Sequence, residues 1–318
     1  MSLAIDEQQI QSADDDGSLA LAHWLAGPVG LQLDVLTRQY LVFAFALEAA
    51  ARGSLSAFTL NQLSTATQTA DCARLLAWLP AQPHQSADIL ALLSQLCQQI
   101  SSQEPQVLKG RLISLEGGDG SGKTTLSRQL AAKLDAIATR ALGGAGGASA
   151  GLRALILRSE FYWHPLPELL LTAAIYRETL LHVILPALRE GKTVVTDRWL
   201  DTLSVYMRND TAGVPPSIIE QAYDILVADV APRLRPDMTF LLDLPYDVAL
   251  ARRTSRPVET GKLDRNEAKG DAFHMSVFGA YRALAGTAPR FVLVDASQSE
   301  SDVLTRLLQF SRQDMDQS

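Results

Sequence analysis

A chain of 318 residues with 47% hydrophobic content has apolar material for more than one packed core and suggests about two domains. Its net charge of -7 argues against a surface built for polymeric nucleic acid, so any nucleotide partner is expected to be a small molecule. Cys72 and Cys97 share no metal-ligand spacing and fall in apolar helical stretches, where buried, reduced thiols of a cytoplasmic protein are expected.

The N-terminus opens on Asp6, Glu7 and Asp14-Asp15-Asp16, the opposite of a signal peptide's basic start. Residues 18–102 read as all-helical, with helices expected at 18–26, 31–52, 59–79 and 87–101 between Gly27-Pro28, Gly53-Ser54 and the Pro80–Pro83 break. The apolar run Tyr40–Leu47 is far too short to span a membrane and reads as a buried helix, so no membrane partner is expected. The polar, proline-bearing segment Ser101–Gln106 marks the boundary between a helical domain over 1–105 and a second domain over 106–318. The first domain offers no chemistry. His23 and His84 are isolated, and docking on the second domain or self-association is the expectation.

From Val107 the rhythm changes to strand–helix alternation. Strands are expected at 111–116, 193–197, 238–243 and 291–294, and helices at 123–135, 166–190, 216–232, 245–254 and 267–285. Such alternation makes a three-layer α/β domain, a parallel sheet with helices on both faces. Ligands then sit at the carboxyl ends of the strands, where Asp197, Asp243 and Asp295 would emerge.

The first of these strands runs into Gly117-Gly118-Asp119-Gly120-Ser121-Gly122-Lys123-Thr124-Thr125, which contains the G-x-x-x-x-G-K-[ST] phosphate-binding pattern. Glycines allow a tight turn whose N–H groups point at a polyphosphate, and the following helix adds its positive N-terminus. Lys123 would reach the outer phosphates, and the Thr124 hydroxyl could ligate Mg²⁺. The pattern also arises by chance as a glycine-rich turn. Here an apolar strand precedes it and the amphipathic stretch Leu126–Leu134 follows, as the function requires. The chain is expected to bind a nucleoside triphosphate.

Three classes of phosphate-loop protein compete. A GTPase needs an N-K-x-D guanine reader, which does not occur, and a motor-type ATPase usually ends its second acidic strand in Asp-Glu. Thr193–Asp197 is followed instead by Arg198, which reads either as an ordinary strand-end ion pair or as a cation placed on a second phosphate. An acid for Mg²⁺ and water beside a forking guanidinium suits phosphoryl transfer between two phosphorylated molecules.

Several ordered blocks together resemble the bacterial thymidylate kinase family. Glu116 to Thr125 is similar to its E-G-x-D-G-x-G-K-[ST]-T loop, and Pro186-Ala187-Leu188 through Gly191 to Asp197-Arg198-Trp199 is similar to its P-A-L…G…D-R-Y region. Arg235-Pro236-Asp237 to Asp243 and Leu263-Asp264-Arg265-Asn266-Glu267 resemble its R-P-D-L-T-L-x-L-D strand and L-D-R-x-E element. The resemblance covers about 108–310 and implies an ATP- and Mg²⁺-dependent transferase of nucleotide biosynthesis with dTMP as default acceptor, cytoplasmic and usually a homodimer. It implies roles too. Lys123 and the loop amides would hold the donor phosphates, Thr124 and Asp197 the metal, and Asp119 would reach toward the acceptor phosphate. Arg140 and Arg198 would contact that phosphate, with Thr202 nearby, and Tyr206 would crowd a ribose 2′-position. Arg252, Arg253 and Arg256 would lie in a mobile lid and neutralise the transferring phosphoryl group, or else form a solvated helix face.

The base end of the acceptor pocket departs from that family. In register from Pro186, the thymine-stacking phenylalanine becomes Thr172 and the base-reading arginine becomes Tyr176, with Arg177 one step out of phase. Leu203 and Met207 replace a small polar residue and a glutamine, and Ala141-Leu142 replaces Glu-Pro. A lost base–aromatic stack is worth about 1–3 kcal/mol, so several changes at one end suggest an altered base site. Tyr176, or Phe161, Tyr162 or Trp163, would then supply another stacking surface, unless these are core aromatics. The departures leave open a same-fold kinase with a different phosphorylated acceptor, and the extra domain leaves open a weakly catalytic nucleotide-binding regulator.

Overall fold

The computed structural model describes residues 108–157, 165–209, 219, 234–255, 265–266 and 268–315. The expected helical domain with its two cysteines, Phe161–Trp163, most of the expected 216–232 helix, Arg256, Leu263, Asp264 and Glu267 lie outside the described residues.

Five strands form one parallel sheet in the order β2-β3-β1-β4-β5. They are β1 (Leu112–Glu116), β2 (Ile137–Arg140), β3 (Val194–Asp197), β4 (Met238–Asp243) and β5 (Phe291–Asp295). The central strands β1, β3 and β4 are buried along nearly their whole length because both faces of the sheet are covered. On one face Ile113, Leu115, Val195 and Phe240 pack against Leu126 and Leu130 of α1 (Lys123–Leu134). Beyond α2 (Gly147–Ile156), α3 (Pro165–Thr179), α4 (Leu185–Arg189), α5 (Leu200–Asn209), α6 (Tyr246–Thr254) and α7 (Asp271–Ala285), the chain closes with α8 (Glu300–Met315). Val303 and Leu307 of α8 join the α1 face, while Leu241 meets Val205 of α5 and Val277 and Tyr281 of α7 on the other. The three-layer expectation is met.

Two local features depart from the expected elements. Strand β2 and helices α2, α5 and α8 were not foreseen. The expected single helix 166–190 is interrupted by a π-helical stretch, Leu180–Ile184, before Pro186. Proline has no N–H for the carbonyl one turn back, so the chain widens there instead of continuing as regular helix. By length and composition Glu168–Arg189 is apolar enough to cross a membrane, but 78% of its most apolar window is buried inside this domain, as befits a core helix.

Parallel register fixes the site. Leu115 of β1 and Arg140 of β2 both pair with Asp197 of β3, so Glu116, Arg140 and Asp197 reach the same edge of the sheet.

Candidate active site

The phosphate loop leaves β1 with φ of 145° at Gly117, 93° at Gly120 and 87° at Gly122. At Gly120 the conformation and the space agree, because a Cβ would lie 2.3 Å from the Ala249 carbonyl oxygen. Gly118 is equally confined, its would-be Cβ falling 2.3 Å from the Phe278 ring of α7. Helices α6 and α7 thus pack closely against the loop from outside.

Lys123 opens α1 and is buried. Its ammonium donates to the Gly118 carbonyl at 2.7 Å and to Ser121 Oγ at 3.2 Å, curling back over the loop. Burial, with Arg198 nearby, lowers its pKa to about 8, so a polyanion arriving here would restore full protonation. Thr124 and Thr125 are exposed at the helix start. Thr124 Oγ1 donates to Asp197 Oδ2 at 2.6 Å, and Asp197 Oδ1 is buried with no hydrogen-bond partner. A hydroxyl beside a carboxylate with one uncommitted buried oxygen fits a hard divalent ion such as Mg²⁺. Among the described residues no group of three or more His, Cys, Asp or Glu could hold a metal, so such an ion would take its other ligands from phosphate and water.

Arg198 is the hub of the cleft. It adopts φ of 68°, a left-handed conformation costly for a side chain with a Cβ, and its own N–H is tied to the Leu115 carbonyl at 3.0 Å. Nη2 donates to Asp119 Oδ1 at 2.5 Å and to Tyr206 OH at 3.2 Å. Nη1 donates to Gly117 O, Thr202 Oγ1 and Tyr281 OH at 3.2, 3.3 and 3.1 Å. The guanidinium also lies 5.1 Å from the centroid of the Tyr206 ring. Burial would raise the pKa of Asp119, but Arg198 and then Lys123 outweigh it and hold this carboxylate below its ordinary value. Burial foremost raises the Tyr206 phenol.

Asp119, Lys123, Thr124, Arg140, Asp197, Arg198, Thr202 and Tyr206 line one cleft of about 240 Å³. Thr172, Tyr176 and Leu203 line its far end. Tyr176 is no swinging surface. Its ring stacks on Trp199 with centroids 5.9 Å apart, and its hydroxyl donates to the Trp199 carbonyl at 3.4 Å. The Thr172 hydroxyl turns back on its own helix to the Glu168 carbonyl at 2.8 Å.

Two expectations need correction. Arg177 is buried and does not line the cleft, whereas Tyr176 does, so the family's arginine position is not restored by one step of slip. Arg252 does not point at phosphate. It donates to the carbonyls of Ala296, Ser297 and Gln298 at 2.7, 3.3 and 3.5 Å, closing the turn after β5. Arg253 sits 3.8 Å from Asp271 and also lies outside the cleft lining, because α6 is anchored to its neighbours in this arrangement. Asp197, Asp243 and Asp295 end β3, β4 and β5 as expected, and of the three only Asp197 lines the cleft. Asp243 is engaged by Arg282 Nε at 2.9 and 3.0 Å, and Asp295 caps the Ser297 turn.

The structure adds residues that the sequence reading did not place. Arg153 of α2 also lines the cleft, as do Glu168 of α3 and its ion-pair partner Arg265. Asn266 and Lys269 complete that lining, Lys269 lying over the Phe273 ring at 4.2 Å. Arg153 is a lone cation in the apolar stretch Gly151–Leu157, a signal that sequence inspection can catch.

The thymidylate kinase family model matches residues 115–307. The thymidylate kinase of Dinoroseobacter shibae is 38% identical over 200 residues, covering 61% of this chain and 92% of that protein. The thymidylate kinases of Nitrobacter winogradskyi and Pseudomonas entomophila are each 38% identical, covering 63% and 60% of this chain and 86% and 90% of theirs. Residues 115–307 contain the phosphate loop, Asp197-Arg198 and every cleft residue named above, and on that ground the chain belongs to the thymidylate kinase family.

Proposed function

We propose that this protein is an ATP- and Mg²⁺-dependent kinase that phosphorylates dTMP to dTDP, a cytoplasmic enzyme of nucleotide biosynthesis. The observation that carries the reading is that Lys123 and the phosphate loop share one cleft with Arg140 and Arg198. Lys123 and the loop amides serve the donor, and Arg198 with Arg140 serves the acceptor.

An oxygen of the acceptor's phosphate forms the new bond to the γ-phosphorus while the bond to the β–γ bridging oxygen breaks, and ADP leaves with that electron pair. A phosphate dianion is already nucleophilic, so the protein's work is alignment and charge neutralisation. Lys123 holds the donor's outer oxygens as its contacts to Gly118 and Ser121 yield. Arg198 presents two nitrogens to the acceptor phosphate, a fork that Asp119 and Tyr206 keep oriented beforehand. Thr124 and Asp197 would hold Mg²⁺, which shields the charge on the β- and γ-phosphates. Tyr206, fixed by Arg198 and by its own bond to Asp119 Oδ2 at 3.3 Å, would disfavour a ribose 2′-hydroxyl. Thr172, Leu203 and the Tyr176–Trp199 stack would form the base end, with Arg153 facing the thymine edge.

No feature of the described cleft favours a different acceptor. The family's habit of pairing suggests a homodimer acting on small nucleotides, without nucleic acid or membrane. An assay of ADP release with Mg-ATP and a panel of dTMP, dUMP, dCMP and dGMP tests the reading. Saturable turnover best with dTMP is expected, and no turnover with any of them would refute it.

A further inference from the structure

Glu116 ends β1 beneath the phosphate loop, is fully buried, and has no part in the scheme above. Its two oxygens take three partners, all of them groups next to or bonded to Arg198. Oε1 accepts the backbone N–H of Trp199 at 2.7 Å. Oε2 lies 2.7 Å from the Thr202 hydroxyl and 2.9 Å from the Tyr281 hydroxyl, and accepts from them, while the two hydroxyls also lie 2.8 Å from each other. Trp199 directly follows the left-handed residue Arg198, and Thr202 and Tyr281 are two of the acceptors for Arg198 Nη1. Within this triangle, whichever hydroxyl gives its hydrogen to the carboxylate leaves its lone pairs to the other hydroxyl and to the guanidinium.

We propose that Glu116 is the positioning residue of the acceptor-phosphate clamp, fixing the turn at Arg198 and aiming the oxygens of Thr202 and Tyr281 at its guanidinium. The inference rests on reading Arg198 as that clamp. A purely structural carboxylate is poorly suited to this place. Burial first, and Asp201 second, make its ionised form costly, and an amide would fill the same volume without that cost.

The test is Glu116→Gln in the full chain. Glutamine retains an oxygen for the Trp199 N–H but places N–H donors on Thr202 and Tyr281, taking their lone pairs and turning their hydrogens toward Arg198. The expected result is a KM for dTMP raised at least tenfold and a lowered kcat. The KM for ATP should stay within twofold, and the melting temperature at pH 8 should be no lower than wild type. Tyr281→Phe should give a smaller loss on the acceptor side, and the two changes together should fall short of the product of their separate effects. Equal shifts in donor and acceptor KM, or kinetics within twofold of wild type in the folded variant, would overturn the inference. Wild-type turnover tests the proposed function separately. If the wild type instead phosphorylates another monophosphate, that reading fails while the variant-to-wild-type ratio with the new acceptor still decides this one; calorimetric affinity for dTMP decides it if there is no turnover.

Discussion

The same substitution carries a stability prediction whose size follows from the structure. Burial foremost, reinforced by Asp201 and opposed by Arg198, raises the Glu116 pKa from 4.5 to about 7. The folded protein therefore binds this proton more tightly than the unfolded chain does. The resulting stabilisation is complete below pH about 4.5, falls as pH rises, and is gone once pH passes about 7. A separation of about two and a half units corresponds to about 3 kcal/mol. For a domain of this size that is a shift in melting temperature of roughly 6–12 °C. Glutamine mimics the protonated acid at every pH and lacks the titration. Melting curves of wild type and Glu116→Gln recorded at pH 5 and pH 8 isolate the contribution, since other titrating groups cancel in the difference. The variant should gain on wild type by about 2.5 kcal/mol between those values. A difference constant to within about 0.5 kcal/mol would refute the claim that burial governs this carboxyl, because a group held near its ordinary pKa shows no linkage over that window.

Three further outcomes follow from the cleft. Lys123→Ala should lower kcat at least a hundredfold in the ADP-release assay while calorimetric affinity for dTMP stays within a few-fold, since the ammonium faces the donor loop. Arg198→Lys keeps the charge but loses the fork. Two forfeited charge-assisted bonds of about 1.5–2 kcal/mol each predict a fall in kcat/KM for dTMP of roughly a hundred- to a thousandfold. Gly120→Ala would place a Cβ 2.3 Å from the Ala249 carbonyl oxygen at a φ of 93°. Strain and clash of at least about 1–3 kcal/mol should appear as a lower melting temperature and a raised ATP KM.

What the sequence made legible depended on how local the physics was. The phosphate loop needs particular residues at fixed spacing because its amides must converge, so Gly117 to Thr124 announced themselves. Strand β2 escaped because Ile137–Arg140 is four residues long and only partly buried, leaving no apolar run to read. Tyr176 and Arg177 could not be separated in advance, since one residue on a helix turns the side chain by about 100° and only packing fixes which one faces the cleft. Arg252 and Arg253 looked alike in the sequence, yet the turn after β5 captures the first and Asp271 attracts the second. Glu116 was visible only as part of a motif. Its partners Trp199, Thr202 and Tyr281 lie 83, 86 and 165 residues further on, and tertiary structure alone brings them together.

The prior engagement of Arg198 has a consequence for selectivity. Asp119 already neutralises the guanidinium, two phenols, a threonine and the Gly117 carbonyl engage its terminal nitrogens, and so free inorganic phosphate or sulfate meets a cation whose charge is already answered. An incoming anion must evict an internal rival, and a small ion brings nothing to offset that exchange. A nucleotide brings its sugar and base, whose burial elsewhere along the cleft supplies the difference. Discrimination against bulk cellular anions is thus built into the resting protein, ahead of any encounter with substrate.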